Sequence, residues 1–567
     1  MTRSKLAGVS ILALGALLLC SLPAAAAEQP QPMLNHASAF GAGHVTYGIP
    51  TIQYGFHQSN PVRRVPKPHV APTLDPALQR TPGGSGEFSL QYHVLGVGNG
   101  FPGYSVPDAP PDTTMAVGDT EFVQWVNVSY ADFNKSTGAI IPLSGLDSTE
   151  GNTIWHNLIP GTLCANNNDG DIIVKFDRQA HRWLMMQNVF VSPYAVCIAV
   201  SQTATFSDNL WYAYQFPVVN SGFPDYPKWG IWSSGGASDG YYQNWNNFGP
   251  GGSGFVGPVA CGYHRAKMLA GDSSAEQICF QLSISPEYQD SLLPADRDSP
   301  TPPPATEDEF FIGSLGDVDN SHLSLYSMGI VTWSPANATL TGNQNTQLVP
   351  IATFTPACNG NYGGACVPQQ GTTDKLDSLG DRLMYRFAYW EDRPPVNATA
   401  TPPFPAPVQH WYVNMDVTGS QSQNAVRWME FNANLKTVPV TALAVFQQGT
   451  YEGSPADGNW RWMGSLTRDN VDDVLVGYSE SNTNMFPSIA AAGRKFTDSL
   501  GTLSPELFAV NGTGSQPDTS NRWGDYSTMA IDPIDNCTFF YTTEYYMITQ
   551  RFDWSTDVSS WKFAGCH

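Results

Sequence analysis

Charged residues are scarce in this chain of 567 residues, and cations are the scarcer kind. Only 13% of the residues are charged, with 27 Lys and Arg against 49 Asp and Glu, so the net charge is −22 at pH 7. A surface of that sign repels phosphate backbones, which argues against nucleic acid as a partner. No H-E-x-x-H, C-x-x-C, P-loop or dinucleotide motif occurs, so no familiar metal or nucleotide site is indicated. After the N-terminal segment, no apolar run is long enough to be a transmembrane segment.

The N-terminus has the three parts of a secretory signal. Arg3 and Lys5 precede an apolar stretch, and Ala25 to Ala27 form an A-x-A cleavage site. We therefore predict a signal peptide over residues 1–27 and a secreted protein, either extracellular or periplasmic.

Cleavage of that peptide would remove Cys20 and leave eight cysteines. An even number in an oxidising compartment favours disulfides over metal ligation. Pairing of sequence neighbours would close short loops, although spacing alone does not fix the connectivity. The neighbouring pairs are Cys164 with Cys197, Cys261 with Cys279, Cys358 with Cys366, and Cys537 with Cys566.

The composition favours β-structure. The chain has 52 Gly, 44 Pro and 12% aromatic residues, which is typical of turns and sheets rather than helices. Residues 28–107 are rich in Pro and Gly and are predicted to be an extended N-terminal arm. Strand and turn patterns alternate over residues 108–567, which we interpret as one all-β domain.

Seven stretches of this domain share one order of parts: a polar or charged turn, then a short strand of small and apolar residues. Their starts lie roughly 55 to 85 residues apart, a spacing compatible with four-stranded blades and inserted loops. We predict a β-propeller with seven blades, or six or eight if one insertion is miscounted. Its inner strands are predicted at residues 115–117, 172–174, 229–231, 310–312, 383–385, 462–464 and 529–531. Because propeller channels narrow where inner strands begin, the Asp and Arg side chains of the turns should converge on one axial funnel.

Three arginines, Arg382, Arg461 and Arg522, open successive inner strands. Together they could bind one carboxylate or sulfate of a sugar. The alternative is that they form ion pairs between blades, since a buried Arg needs a partner. Trp462 and Trp523 are candidates for sugar stacking or for packing between blades.

Carboxylates precede other inner strands. Two of these, Asp112 and Asp225, are candidate acid, base or nucleophile for glycoside hydrolysis, and Tyr526 is a further candidate nucleophile or acid. The same type of cluster, which includes Asp171 and Asp381, could hold a structural Ca²⁺ or could only cap strand ends. No other cofactor is expected.

Four motifs together resemble a family of secreted bacterial proteins with sialidase-like β-propellers of the Asp-box type. They are Pro110-Pro111-Asp112-Thr113, Leu379-Gly380-Asp381-Arg382, Arg461-Trp462-Met463-Gly464 and Arg522-Trp523-Gly524-Asp525. The resemblance implies the fold and a partner that is an extracellular glycan or a protein surface. It does not imply sialidase activity, because the N-terminal Arg-Ile-Pro motif of sialidases is absent. Two function classes stay open: a glycoside hydrolase or lyase for an acidic glycan, and a non-catalytic binding, adhesion or structural module.

Overall fold

The chain folds mainly into antiparallel β-strands in the part that the computed structural model describes. The described residues are 30–48, 58–59, 62–65, 70–80, 83–84, 86–284, 289–315, 318–342, 348–360, 364–392, 408–434, 442–453 and 457–567. The predicted signal peptide lies outside them. Their three α-helices are short: α1 (Thr153–Leu158), α2 (Leu163–Asn166) and α3 (Arg265–Leu269). No helix in these ranges has the length and apolarity of a membrane span.

Five strands come before the repeated part of the chain: β1 (Pro32–His36), β2 (Ala39–His44), β3 (Gln58–Ser59), β4 (Phe88–Leu95) and β5 (Asp108–Ala109). Apart from one separate two-stranded ribbon, the described strands that follow form seven groups.

The first group contains β6 (Thr114–Val117), β7 (Glu121–Val126), β8 (Ser129–Asn134), β9 (Ile140–Ile141) and β10 (Thr149–Glu150). The second contains β11 (Ile173–Asp177), β12 (Arg182–Val189), β13 (Ala195–Ser201) and β14 (Leu210–Pro217). The third contains β15 (Phe223–Trp232), β16 (Gly240–Gly249), β17 (Ser253–Tyr263) and β18 (Glu276–Gln281). The fourth contains β19 (Leu293–Arg297), β20 (Glu309–Ser314), β21 (His322–Ile330), β22 (Ala338–Thr341) and β23 (Leu348–Pro350).

A separate two-stranded ribbon, β24 (Ala365–Val367) and β25 (Leu376–Asp377), precedes the fifth group. The fifth group contains β26 (Leu383–Asp392), β27 (Val408–Thr418), β28 (Asn424–Asn434) and β29 (Ala444–Tyr451). The sixth contains β30 (Trp460–Arg468), β31 (Val474–Asn482), β32 (Met485–Arg494) and β33 (Leu507–Val510). The seventh contains β34 (Thr528–Ile531), β35 (Thr538–Tyr545) and β36 (Ser555–Phe563).

The first strands of the groups form a closed ring. They contact one another in chain order from β6 through β11 and β15 to β19, then from β26 through β30 to β34, which returns to β6. β19 and β26 pair in parallel, so the fourth and fifth groups share one nine-stranded sheet. A ring of antiparallel sheets around a central channel is a β-propeller, which confirms the predicted fold class. The count of seven blades stays a prediction.

One predicted inner strand was wrong. Residues 310–312 lie in β20, which is the second strand of the fourth group, and the inner strand is β19. The stretch that forms β19 was overlooked because it contains Pro294, Asp296 and Arg297, whereas buried inner strands are normally apolar. Both charged side chains are nonetheless buried, because they find polar partners inside the channel.

Part of the predicted N-terminal arm completes the sheets of the propeller. β1 pairs with β18, β2 pairs with β14, and β4 pairs with β36. The outer strand of the seventh sheet therefore comes from residues far ahead of it in the chain. This pairing closes the ring with backbone hydrogen bonds between its two ends.

Aromatic packing and disulfides fix the sheets. Fourteen tryptophan side chains of the described residues are buried, each with at most 1% of its surface exposed. All four neighbouring cysteine pairs are disulfides, as predicted: Cys164–Cys197, Cys261–Cys279, Cys358–Cys366 and Cys537–Cys566. Such bonds fit an oxidising compartment.

Candidate functional site

A cavity of about 340 Å³ lies at the end of the channel where the inner strands begin; we call it the funnel. Its lining includes three aspartates and two arginines of the predicted motifs: Asp112, Asp171, Asp225, Arg382 and Arg522. Phe190, Phe223 and Tyr226 add an aromatic wall. The sequence expectation that charged side chains from several blades converge on the axis is thus met by these five residues.

Two strand-start aspartates link one blade to the next. The carboxylate of Asp112 accepts a hydrogen bond from the Asp525 amide at 2.6 Å, and that of Asp171 accepts one from the Tyr226 amide at 2.9 Å. These contacts orient the turns that open the funnel, and they favour the strand-capping interpretation for these carboxylates.

Asp225 is different. Within the described residues its carboxylate is contacted by the guanidinium of Arg63, at 3.3 Å, and accepts no backbone amide. Burial raises the pKa of Asp225 to about 7, and the charge of Asp171 adds to the effect. A carboxyl group that exchanges its proton near neutral pH and faces a cavity is suited to general acid–base chemistry.

Lys228 lies beneath the funnel floor. Its ammonium sits 3.3 Å from the ring centre of Tyr226 and 4.1 Å from that of Tyr526, and it donates to the Pro227 carbonyl at 3.1 Å. Burial lowers its pKa to about 8, while the charges of Asp171 and two neighbouring aspartates oppose that change. Lys228 thus supplies positive charge to a group of carboxylates that would otherwise repel one another.

The two funnel arginines of the predicted motifs, Arg382 and Arg522, are held differently. Arg382 makes a two-point contact with Asp381, at 2.7 and 3.1 Å, so this guanidinium is largely used within the protein. Arg522 pairs with Asp525 at 2.6 Å through Nη2. Its Nε and Nη1 atoms are buried and have no hydrogen-bond partner within the described ranges. Since unsatisfied buried donors are costly, Arg522 is the funnel cation with donors available to a ligand.

Four other predicted site residues do not line the funnel. Arg461 is buried in an ion-pair cluster, with Asp457 at 2.6 Å, Glu506 at 2.7 Å and Glu480 at 3.0 Å. The sequence could not separate it from Arg382 and Arg522, because all three occupy the same place in the repeated motif.

Trp462 and Trp523 are fully buried against each other, with ring centres 5.5 Å apart. The buried Tyr526 hydroxyl donates to the Ile172 carbonyl at 2.8 Å, and burial raises its pKa well above the ordinary value. Neither tryptophan presents a face to a sugar in the funnel, and the phenol is poorly placed to act as a nucleophile.

Two groups of carboxylates have the spacing of a cation site. In each, one oxygen per residue lies within 4.8 Å of the others: Asp112, Asp171 and Asp525 in one, and Asp457, Glu480 and Glu506 in the other. The first group faces Lys228 and Arg522, and the second surrounds Arg461. Because each group already has cationic partners, we assign no Ca²⁺ to either.

Two residues from the N-terminal arm were missed. Arg63 lines the funnel and lies 4.0 Å from the ring centre of Phe223, and Arg64 pairs with Asp377 and Asp381. Nothing in the Pro-rich arm predicted that it would reach the channel. Lys228 directly precedes the predicted inner strand at residues 229–231. Its position in the sequence could therefore have indicated a cation near the channel.

Comparisons with known proteins give weak structural similarities. No family model matches the chain, and no curated protein sequence matches it. A protein of unknown function from Dyadobacter fermentans is 9% identical, with 84% of this chain and 99% of that chain covered and a TM-score of 0.33. The Hadza microbial sialidase Hz136 is 11% identical, with 80% and 66% covered and a TM-score of 0.30. An α-L-arabinofuranosidase from Fusarium graminearum is 8% identical, with 85% and 99% covered and a TM-score of 0.32. Similarity at this level carries no functional assignment.

Proposed function

We propose that this is a secreted protein that binds an extracellular carbohydrate in the funnel and hydrolyses a glycosidic bond there. The observation that carries the proposal is the position of Asp225, whose carboxyl group lines a cavity of 340 Å³. Within the described residues, no backbone amide donates a hydrogen bond to this carboxyl group. With a pKa raised to about 7, it holds a proton for a substantial part of the time at neutral pH and can release it to a leaving group.

The reaction uses Asp225 as the general acid and Asp171 as its partner through Oδ1, because the capping bond from the Tyr226 amide goes to Oδ2. Asp225 protonates the glycosidic oxygen as the bond from that oxygen to the anomeric carbon breaks. Asp171 either takes a proton from the attacking water or attacks the anomeric carbon directly. Lys228 favours the ionised form of Asp171 and so opposes the effect of burial on its pKa. Inversion of the anomeric configuration in the product would identify Asp171 as the base, and retention would identify it as the nucleophile.

Arg522 and the aromatic wall provide binding contacts. The two unpartnered donors of Arg522 suit a polar or anionic group of a sugar. Phe190 stacks on the buried Phe223, with ring centres 4.9 Å apart, and its outer face suits the C–H surface of a sugar ring. Arg382 serves mainly to hold the opposite wall through Asp381.

The second candidate function is carbohydrate binding without cleavage. The observation that favours it is the engagement of Asp112 and Tyr526, two of the three predicted catalytic groups, in hydrogen bonds within the protein. In that case the funnel would keep its ligand contacts through Arg522 but would lack turnover.

The test is a screen of the mature protein against a panel of neutral and acidic glycans, followed by Asp225→Asn on any substrate found. We expect Asp225→Asn to lower kcat by roughly 100-fold or more while glycan binding persists. Asp469→Asn is the matched control, because burial also raises the pKa of Asp469 to about 7 but this residue lies in the turn between β30 and β31. Binding without turnover in the wild type would select the second candidate. Full activity in Asp225→Asn would refute the assigned role.

A further inference from the structure

A second cavity lies at the opposite end of the channel, where the inner strands end; we call it the basal pocket. It measures about 40 Å³, which is enough for a few water molecules or one small anion. Its charged lining comes from three inner strands, β11, β19 and β26, and from the turns that follow the first two. These residues are Lys175, Arg178, Asp296, Arg297, Asp298 and Arg386.

Both carboxylates of this lining are already paired. Asp296 contacts Lys175 and also Arg386, the latter at 2.6 Å. Asp298 accepts two hydrogen bonds from Arg386, at 2.8 and 2.5 Å, and one from Thr467 at 2.5 Å. Lys175 and Arg386 therefore account for the two negative charges.

Arg178 and Arg297 are left without a carboxylate. Neither forms an ion pair within the described residues. Arg297 donates to neutral oxygens: those of Ser299, Pro300, Gln179 and Ser233. Arg178 donates through Nη2 to the Pro533 carbonyl at 3.0 Å and to Asn536, and its Nε and Nη1 have no partner in the described part of the chain. Burial lowers the pKa of Arg297 to about 10, and repulsion from Arg178 adds to this effect.

We propose that the basal pocket binds a small oxyanion, such as sulfate or phosphate, through Arg178 and Arg297. Burial of these two guanidinium groups carries a desolvation cost, and no ion pair within the described residues offsets it. A tetrahedral oxyanion would offer acceptors to the free donors of Arg178 and the remaining donor of Arg297. It would also join the second, fourth and seventh groups of strands at the narrow end of the channel. This role is separate from the chemistry proposed for the funnel.

The test measures thermal unfolding and calorimetric binding of the mature full-length protein. Sodium sulfate and sodium phosphate are titrated separately against sodium chloride at matched ionic strength, and the two series show which oxyanion the pocket prefers. Arg178→Gln removes the free donors. Arg182→Gln is the matched control, because Arg182 lies on the same hairpin, outside the pocket, and donates to the carbonyls of Ala180 and His181. Arg522→Gln removes the competing guanidinium in the funnel.

We expect a saturable rise in melting temperature and a saturable binding heat in the wild type, Arg182→Gln and Arg522→Gln. Arg178→Gln should lose at least 10-fold in affinity. An equal, non-saturating rise in all four proteins would show only the general stabilising effect of excluded sulfate and would overturn the proposal. If only Arg522→Gln lost the binding heat, the anion would bind in the funnel, and this result would also overturn the proposal. If Arg178→Gln does not fold, the wild type alone provides the test. Absence of a binding heat in the wild type at up to tens of millimolar sulfate and phosphate would refute the site.

Discussion

Replacing Asp225 with Asn should stabilise the folded protein at pH 8.5, and this effect should decrease steadily as the pH falls towards 4. Burial raises the pKa of Asp225 from the ordinary 3.8 to about 7. Above that pH the carboxyl is ionised in both states, and the folded state bears the full cost of a buried charge. The shift of roughly 3 units corresponds to about 4 kcal/mol, taken as an order of magnitude. Below pH 7 the folded state takes up a proton that the unfolded state binds only near pH 4, so the cost disappears as the pH falls.

The asparagine variant lacks this charge at every pH. Its advantage over the wild type should therefore be about 4 kcal/mol at pH 8.5, should fall to roughly 1 to 2 kcal/mol at pH 5, and should vanish only near pH 4. With an unfolding entropy of about 2 cal/mol/K per residue over the mature chain, 4 kcal/mol corresponds to a rise of about 4 °C in melting temperature. Loss of the partly exposed contact with Arg63 at 3.3 Å reduces this by about 1 kcal/mol or less.

Differential scanning fluorimetry of both proteins from pH 5 to 8.5 would measure the difference. Asp208→Asn, at an exposed turn, is the control and should show no comparable trend. A difference between wild type and Asp225→Asn that is constant over this range would refute the reasoning, because it would mean that Asp225 titrates with an ordinary pKa in the folded state. A variant less stable than the wild type at pH 8.5 would refute it as well.

Three further predictions concern the ring and the funnel. Joint replacement of Cys537 and Cys566 by Ser should lower the free energy of unfolding by about 3 to 4 kcal/mol, since the bond closes a loop with a sequence separation of 29 residues; denaturant titration would measure this, and an unchanged midpoint would contradict it. Arg461→Ala should destabilise the protein by about 3 to 5 kcal/mol because it leaves buried carboxylates unpaired, yet any folded fraction should bind glycan as the wild type does. Arg522→Gln should weaken glycan binding roughly 10- to 100-fold through the loss of charge-assisted donors, as calorimetry would show, whereas unchanged affinity would remove Arg522 from the proposed site.

The propeller fold and the funnel were predictable because the repeated motif carries both. Each predicted turn combines residues that open a strand with a charged side chain, and the ring geometry brings such turns together on the axis. Asp112, Asp225 and Arg522 met in the funnel for this reason. The pairing of neighbouring cysteines was favoured by the short loops that it closes, although of the four disulfides only Cys261–Cys279 joins two paired strands, β17 and β18.

Other parts of the site depend on contacts that sequence order does not show. Arg461 shares its motif position with Arg522 but meets Glu506, which follows it by 45 residues, and so points into its own blade. Arg63 reaches the funnel from an arm whose composition indicates only an extended chain. The inner strand β19 was missed because its charged residues are stabilised by partners on other blades. In each case a long-range ion pair decides the placement.

The geometry of the strand starts explains why Asp225 is the residue to test first. Asp112 and Asp171 adopt left-handed backbone conformations, with φ of 48° and 49°, which Asp tolerates better than most residues. Their carboxylates accept amide hydrogen bonds from neighbouring blades, so their side chains contribute to the ring itself. Any protein with this ring would need such groups whether or not it had an activity. Asp225 lies inside β15, next to the bulge in that strand, and within the described residues its carboxylate accepts no such bond, so the ring does not require its carboxyl group. A buried carboxyl that the fold does not need, held next to a cavity, is best explained by a ligand or reaction that does.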